Sequence, residues 1–332
     1  MSNSKDELRK VTIIVADTGD FDMIAQYKPQ DATTNPSLLY KAAQMEAYLP
    51  LVRDAVAWAE KNTPAGECKV KKAVVKLFIN FGVEILKIVP GRVSTEVDAR
   101  FSFDVDASIK RAREYIQLYK EAGVSKERIL IKLASTWEGI QAARVLEKEG
   151  IHCNMTLMFN LGQAIACAEA GATLISPFVG RIHDWQKIKF SLDLVPAEKD
   201  MGVLSVTEIF HYYKKFGYKT QIMGASFRNV DEILFLAGCD LLTISPQLLG
   251  DLSKLDRPVP RRLDPAESAK MDIKKISVDE KTYRYMLCMD EMATEKLHEG
   301  IRLFTADTVK LEDFIQSHFM NGKGCNPSRK VS

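Results

Sequence analysis

Apolar positions along this chain fall into short runs separated by longer amphipathic stretches, and a glycine often divides the two. Five times a helical pattern ends in a glycine ahead of an apolar run. EAG at 121–123 precedes 129–134, KEG at 148–150 precedes 153–158, and EAG at 169–171 precedes 173–179. KFG at 215–217 precedes 221–226, and LAG at 236–238 precedes 241–245. Glycine just past a helix takes the left-handed conformation that ends it. The runs are nearly continuous in apolar residues rather than alternating, as expected of strands covered on both faces in a parallel sheet. Three further runs, at 12–17, 32–34 and 93–98, bring the number to eight. Eight parallel strands alternating with helices predict an α/β fold, a single (β/α)8 TIM-type barrel with additional C-terminal helices. A doubly wound open sheet is the alternative, but its phosphate-loop fingerprint is missing.

Helix starts are also legible. Ser135 with Glu138, Ser205 with Glu208, Asn229 with Glu232 and Ser277 with Glu280 have capping-box spacing, and Pro36 follows Asn35 in a first-turn position. Residues 1–332 read as one domain. The barrel covers about 10–250, and a basic Pro- and Lys/Arg-rich loop at 251–276 (Lys254, Arg257, Arg261, Arg262) is expected to be solvated. C-terminal helical segments at about 277–300 and 307–320 are expected to pack on the barrel or over its mouth.

Composition narrows the function. The chain has 332 residues, 46% hydrophobic and 27% charged, with a net charge of only +2, which does not suggest a nucleic-acid partner. The longest apolar stretch is broken by Lys76, Asn80, Glu84 and Lys87, so no membrane span is expected. Six scattered cysteines without a CxxC pair, behind a polar N-terminus, read as reduced thiols of a cytoplasmic protein. The histidines lack metal-ligand spacing, and there is no GxGxxG or Walker-type loop, so neither metal nor cofactor is expected.

Lys132 changes the picture. It lies inside the apolar run ILIKLA at 129–134, where desolvating an ammonium is costly and a depressed pKa is expected. At the unperturbed pKa only roughly 1 lysine in 2,500 is neutral at pH 7, so each unit of depression makes the nucleophilic amine about tenfold more abundant. The bland alternative is a lysine that snorkels outward or pairs with a carboxylate. Parity along the other strands favours the first reading. Side chains two apart point the same way. The C-terminal halves of the strands then offer Asp17, Thr33 and Asn35, Ser94 and Glu96, Asn154 and Thr156, Ser176 and Phe178, and Ser226 and Arg228. Active sites of such barrels are built at that end. Asp17 before Thr18-Gly19 has an alternative as a turn or helix cap, and Arg181 could pair with Asp184 on a loop. His183 is expected to be exposed, and Trp58, Trp137 and Trp185 to be packing aromatics.

The segments DATTNPSLL (31–39) and ILIKLASTWEG (129–139) resemble the two signatures of the transaldolase family, the second being its Schiff-base lysine segment. VAD (15–17), VSTEVD (93–98), SPFVGR (176–181) and GASFR (224–228) are similar too, and the resemblance runs from about residue 10 to 320. It departs from the family pattern at 158–164. There Asn160 stands where many relatives carry a small hydroxyl residue and Gly162 where alanine is common, a change expected to bear on donor affinity or loop flexibility. The segment 71–79 is also more basic and apolar than the pattern.

The resemblance implies a cytoplasmic homodimer of the pentose phosphate pathway. It would move a dihydroxyacetone unit from sedoheptulose 7-phosphate or fructose 6-phosphate to glyceraldehyde 3-phosphate or erythrose 4-phosphate, with no cofactor. The catalytic residues would be Lys132 as the imine lysine, Asp17 as general base, and Glu96 with Thr156 to activate water. Asn35, Ser94, Asn154, Ser176 and Phe178 would contact the sugar, and Arg181, Ser226 and Arg228 the phosphate. The nearest rival is a class I aldolase that releases free dihydroxyacetone. A pyridoxal-phosphate enzyme and a catalytically silent sugar-phosphate sensor are more distant.

Overall fold

A computed structural model describes residues 3–320. Eight strands form a closed parallel barrel in chain order: β1 Ile13–Asp17, β2 Asp31–Thr33, β3 Val93–Glu96, β4 Ile129–Ala134, β5 Cys153–Met158, β6 Leu174–Pro177, β7 Gln221–Gly224 and β8 Leu241–Ile244. The five glycines read as helix stops, Gly123, Gly150, Gly171, Gly217 and Gly238, all have φ between 68° and 104°. Several predicted strands are one or two residues too long, because their last residues bend away to line the barrel mouth.

The interior is layered. Val15, Leu130, Leu174, Met223 and Leu241 form a buried apolar plug. Two positions further along the same strands stand Asp17, Lys132, Ser176, Ala225 and Thr243, and these line an open cavity. Burying the first set makes a dry floor, and parity then obliges the second set to face into the mouth. Register finishes the ring, since Glu96 pairs with Lys132, Lys132 with Asn154, and Thr33 with both Asp17 and Ser94.

The C-terminal helices differ from expectation. A short helix, Glu280–Met289, is followed by one unbroken helix, Glu291–Phe319, capped by Asp290. The expected break lies near Gly300, which is instead buried within that helix. A Cβ there would come within 2.6 Å of Leu157, so the bare glycine lets the helix seat directly on the barrel. Leu157 itself has φ 52° beside a register shift in β5. Arg100 ties the far end of the same helix through Glu312.

Three of the four capping boxes also move. Asn229 does cap its helix, but Thr136, Asp200 and Asp279 are the caps where Ser135, Ser205 and Ser277 were expected. In each case a neighbouring oxygen in extended backbone reaches the free N–H groups, while Ser205 lies inside a helix. The basic stretch is not all loop, since Pro246–Lys254 and Pro265–Lys270 are helical.

Cys153, Cys167, Cys239 and Cys288 are free thiols, but Cys68 is disulfide-bonded, so the expectation of uniformly reduced cysteines fails there. Cys325 lies outside the described residues. No helix among the described residues is long and apolar enough to cross a membrane.

Candidate active site

Lys132 is 5% exposed, at the floor of a cavity of about 210 Å³ in the barrel mouth. Its Nζ lies 2.9 Å from Glu96 Oε2 and donates to the Thr34 carbonyl at 3.2 Å. The lysine does not snorkel to solvent; the carboxylate it pairs with is the one expected beside it. Asp17 reaches the same cavity from β1. It accepts from Thr33 Oγ1 at 3.0 Å, and Thr33 Oγ1 is 2.7 Å from Thr243 Oγ1. The helix-cap alternative for Asp17 fails, because Asp20 caps the following helix.

Burial raises the pKa of both carboxyls. For Asp17 the opposing influences are the Lys132 charge, the Thr33 hydrogen bond and the Arg181 charge. For Glu96 they are the Lys132 charge and hydrogen bond and the Arg181 charge, while the Asp17 charge pushes upward. Two acids with raised pKa values beside an amine are suited to passing protons.

Asn154 and Ser94 stand behind the wall. Asn154 Nδ2 donates to Ser94 Oγ at 3.0 Å, and Ser176 Oγ donates to Asn154 Oδ1 at 2.6 Å. Of these three only Ser176 lines the cavity. Asn35 spends its Oδ1 on capping the helix Pro36–Ala43, at 2.9 Å from Leu38 N, and lines the cavity as well. Thr156 Oγ1 is buried with no hydrogen-bond partner among the described residues.

Arg181, Ser226 and Arg228 converge at the other end. Arg181 lies between the rings of Phe178 and Phe304, 4.9 and 5.2 Å from their centroids, and its Nη1 is buried with no hydrogen-bond partner among the described residues. Burial lowers its pKa. It is Arg228, and not Arg181, that pairs with Asp184, with Nη2 at 2.7 Å; its Nη1 turns back toward Ser226 Oγ at 3.3 Å. Ser226 has φ 62°, and its carbonyl accepts from Gly180 N at 2.5 Å. A Cβ on Gly180 would overlap that carbonyl oxygen and crowd Arg228 Nη1 at 2.8 Å. Gly180→Ala is therefore expected to destabilise the fold by about 2–4 kcal/mol and to raise KM for phosphorylated donors. Thermal unfolding and initial rates check both.

Some residues were missed. Thr243 and Ser245 line the cavity at the end of β8, where the parity rule used on the other strands would have found them. Phe304 closes the cavity from the helix Glu291–Phe319, and no local signal marks it. His183 is buried and bonded to Asp200, not exposed. The departure at 158–164 has a packing role. Asn160 and Gln163 form a reciprocal capping box, and Gly162 leaves room for Met286, which a Cβ would meet at 3.2 Å. Neither Asn160 nor Gly162 lines the cavity, so nothing here ties that change to donor affinity.

The family model described as transaldolase/fructose-6-phosphate aldolase matches residues 14–315. The chain belongs to this family. It is 57% identical to a rat protein named transaldolase over 327 residues, which are 97% of each chain. It is 56% identical to a human transaldolase over 324 residues, 97% of this chain and 96% of the other. It is also 57% identical over 316 residues to a transaldolase of the cyanobacterium Nostoc, 94% of this chain and 95% of the other. Membership agrees with the barrel and the sequence resemblance, and the enzyme transfers ketonic groups.

Proposed function

We propose that Lys132 carries the transfer as a Schiff-base nucleophile. The observation that supports this best is a buried amine 2.9 Å from one carboxylate at the floor of a polar cavity. The reaction needs the amine neutral, and Glu96 is the adjacent base that takes its proton. Nζ then attacks C2 of the ketose phosphate, the carbonyl oxygen gains a proton, and loss of water leaves an iminium. Asp17 removes the C4 hydroxyl proton. The C3–C4 electron pair moves into the iminium, giving an enamine and releasing an aldose phosphate. Fructose 6-phosphate would release glyceraldehyde 3-phosphate, and sedoheptulose 7-phosphate would release erythrose 4-phosphate. An acceptor aldose reverses these steps, and water held by Glu96 and Thr156 hydrolyses the final iminium.

Asn35 and Ser176 would bond the hydroxyls of the retained three-carbon unit, with Asn154 and Ser94 orienting Ser176. Phe178 shapes the wall and stacks on Arg181. Arg181, Ser226 and Arg228 would take the phosphate, since guanidinium forks match its oxygens.

Trapping tests the chemistry. After incubation with fructose 6-phosphate and reduction with borohydride, mass spectrometry is expected to place the adduct on Lys132. An adduct elsewhere, or none, sinks the reading. Adding erythrose 4-phosphate separates transfer from cleavage. Glyceraldehyde 3-phosphate that accumulates only with the acceptor supports transfer, whereas steady release of free dihydroxyacetone without it supports the aldolase alternative.

A homodimer in the cytoplasm within the pentose phosphate pathway completes the reading, with no nucleic-acid or membrane partner, and it rests mainly on the resemblance. The exposed side chains of Ile188, Phe190, Leu192 and Leu194 offer an apolar face for a second copy. Light scattering at twice the chain mass supports the dimer.

A further inference from the structure

A buried trio behind the phosphate end takes no part in these steps. His183 belongs to the helix Gly180–Phe190, Asp200 caps the helix Met201–Phe216, and Glu232 belongs to the helix Val230–Phe235. All three are buried, Asp200 and Glu232 completely. His183 Nδ1 is 2.6 Å from Asp200 Oδ2 and 3.5 Å from Glu232 Oε1. The other Asp200 oxygen accepts from Gly202 N at 2.8 Å and Val203 N at 3.3 Å. Glu232 Oε2 accepts the backbone N–H of Arg228 at 2.7 Å, and Oε1 accepts from Asn229 Nδ2 at 3.0 Å.

Such a donor set could suggest a cation. However, Nδ1 and Oδ2 at 2.6 Å are in direct hydrogen-bond contact. Two ligands of one tetrahedral zinc, each about 2.1 Å from it, would stand about 3.4 Å apart. The carboxylate oxygens are also already engaged with backbone and side-chain N–H groups.

What one member of the trio, Glu232, does hold is Arg228. Asp184, one residue past His183, grips its guanidinium, and Glu232 grips its backbone. Arg181 stands in the first turn of the same helix as His183. We propose that Glu232, held in place by His183 and Asp200, is a positioning residue that fixes the Arg228 backbone so that Arg228 and Arg181 meet one phosphate. This rests on the assignment of both arginines to the substrate phosphate.

The charged groups facing Glu232 are Asp200 from the head of its helix, His183 from the helix Gly180–Phe190 and Arg228 from the loop. Asp231 beside it pairs with Arg257. Burial pushes the Glu232 carboxyl up to about 7, the Arg228 N–H bond and the His183 and Arg228 charges opposing and the Asp200 charge adding. Above that pH the carboxylate makes a charge-assisted bond to Arg228 N; below it the neutral acid makes a weaker one.

The test compares KM for fructose 6-phosphate in wild type and Glu232→Gln from pH 6 to 8.5, with erythrose 4-phosphate saturating. Glutamine keeps the shape and an acceptor but never ionises. The substrate phosphate titrates near pH 6 in both proteins and cancels in the ratio of KM values. That ratio is expected to be about 1 at pH 6 and to climb to about five- to tenfold at pH 8.5, with kcat within about twofold. His183→Ala is expected to raise KM at pH 8.5, and His183→Asn, whose amide restores an N–H toward Asp200, to return it to the wild-type value. A ratio flat across pH, or a fall in kcat with KM unchanged, overturns the proposal. Arg228→Ala separates the two layers. If it leaves KM unchanged, the phosphate assignment itself fails; if it raises KM while the Glu232→Gln ratio stays flat, only the positioning role fails.

Discussion

Lys132→Ala is expected to lower kcat/KM for fructose 6-phosphate by on the order of 10⁴-fold or more and to abolish the trapped adduct. In the proposed mechanism the amine is the group that bonds to the substrate, and among the described residues no other lysine lines the cavity. The variant should still fold. Removing the ammonium leaves Glu96 buried without its 2.9 Å partner, but burial already raises the pKa of that carboxyl, and a protonated Glu96 carries no charge to strand. Circular dichroism and a thermal scan check folding, while inorganic phosphate as a competitive inhibitor of the wild type and as a ligand of the variant checks the other end. Retained turnover, or an adduct on a different lysine, removes Lys132 from the mechanism.

Asp17→Asn separates imine formation from carbon–carbon cleavage. The amide oxygen can still accept from Thr33 Oγ1, so the local geometry survives. What disappears is the proposed proton acceptor for the C4 hydroxyl. The expected loss in kcat is about 10²- to 10⁴-fold, with the Lys132 adduct still trapped by borohydride. The sign of the pH dependence follows from the same group. A base works when deprotonated, so wild-type activity should fall as pH drops through the pKa of the Asp17 carboxyl. Burial raises that pKa, which places the acid limb above the ordinary aspartate range near 3.9. The limb should change form in Asp17→Asn. Loss of the adduct along with turnover would instead make Asp17 a binding or imine-forming group.

Parity is what made the site legible. Leu130 and Lys132, Val15 and Asp17, and Leu174 and Ser176 each put an apolar residue two places before a polar one, and a buried plug requires this of strands that end in a solvated mouth. The capping boxes were less informative, because several side-chain oxygens near a helix start compete and backbone geometry chooses among them. Ser135 lost to Thr136 and Ser277 to Asp279 for that reason. Cysteine spacing likewise said nothing of the Cys68 disulfide, since pairing depends on which chain segments meet.

Strand number, their parallel order, and the facing of Asp17, Glu96 and Lys132 were determined by the sequence itself, because periodicity and the cost of burying polar groups act within a few residues. The tertiary structure alone decided that Arg228 rather than Arg181 takes Asp184, that Glu232 grips the Arg228 backbone, and that Phe304 closes the cavity. Those outcomes depend on how closely whole helices approach, as Gly300 against Leu157 and Gly180 against Ser226 show, and such distances are set by packing between segments far apart in the chain.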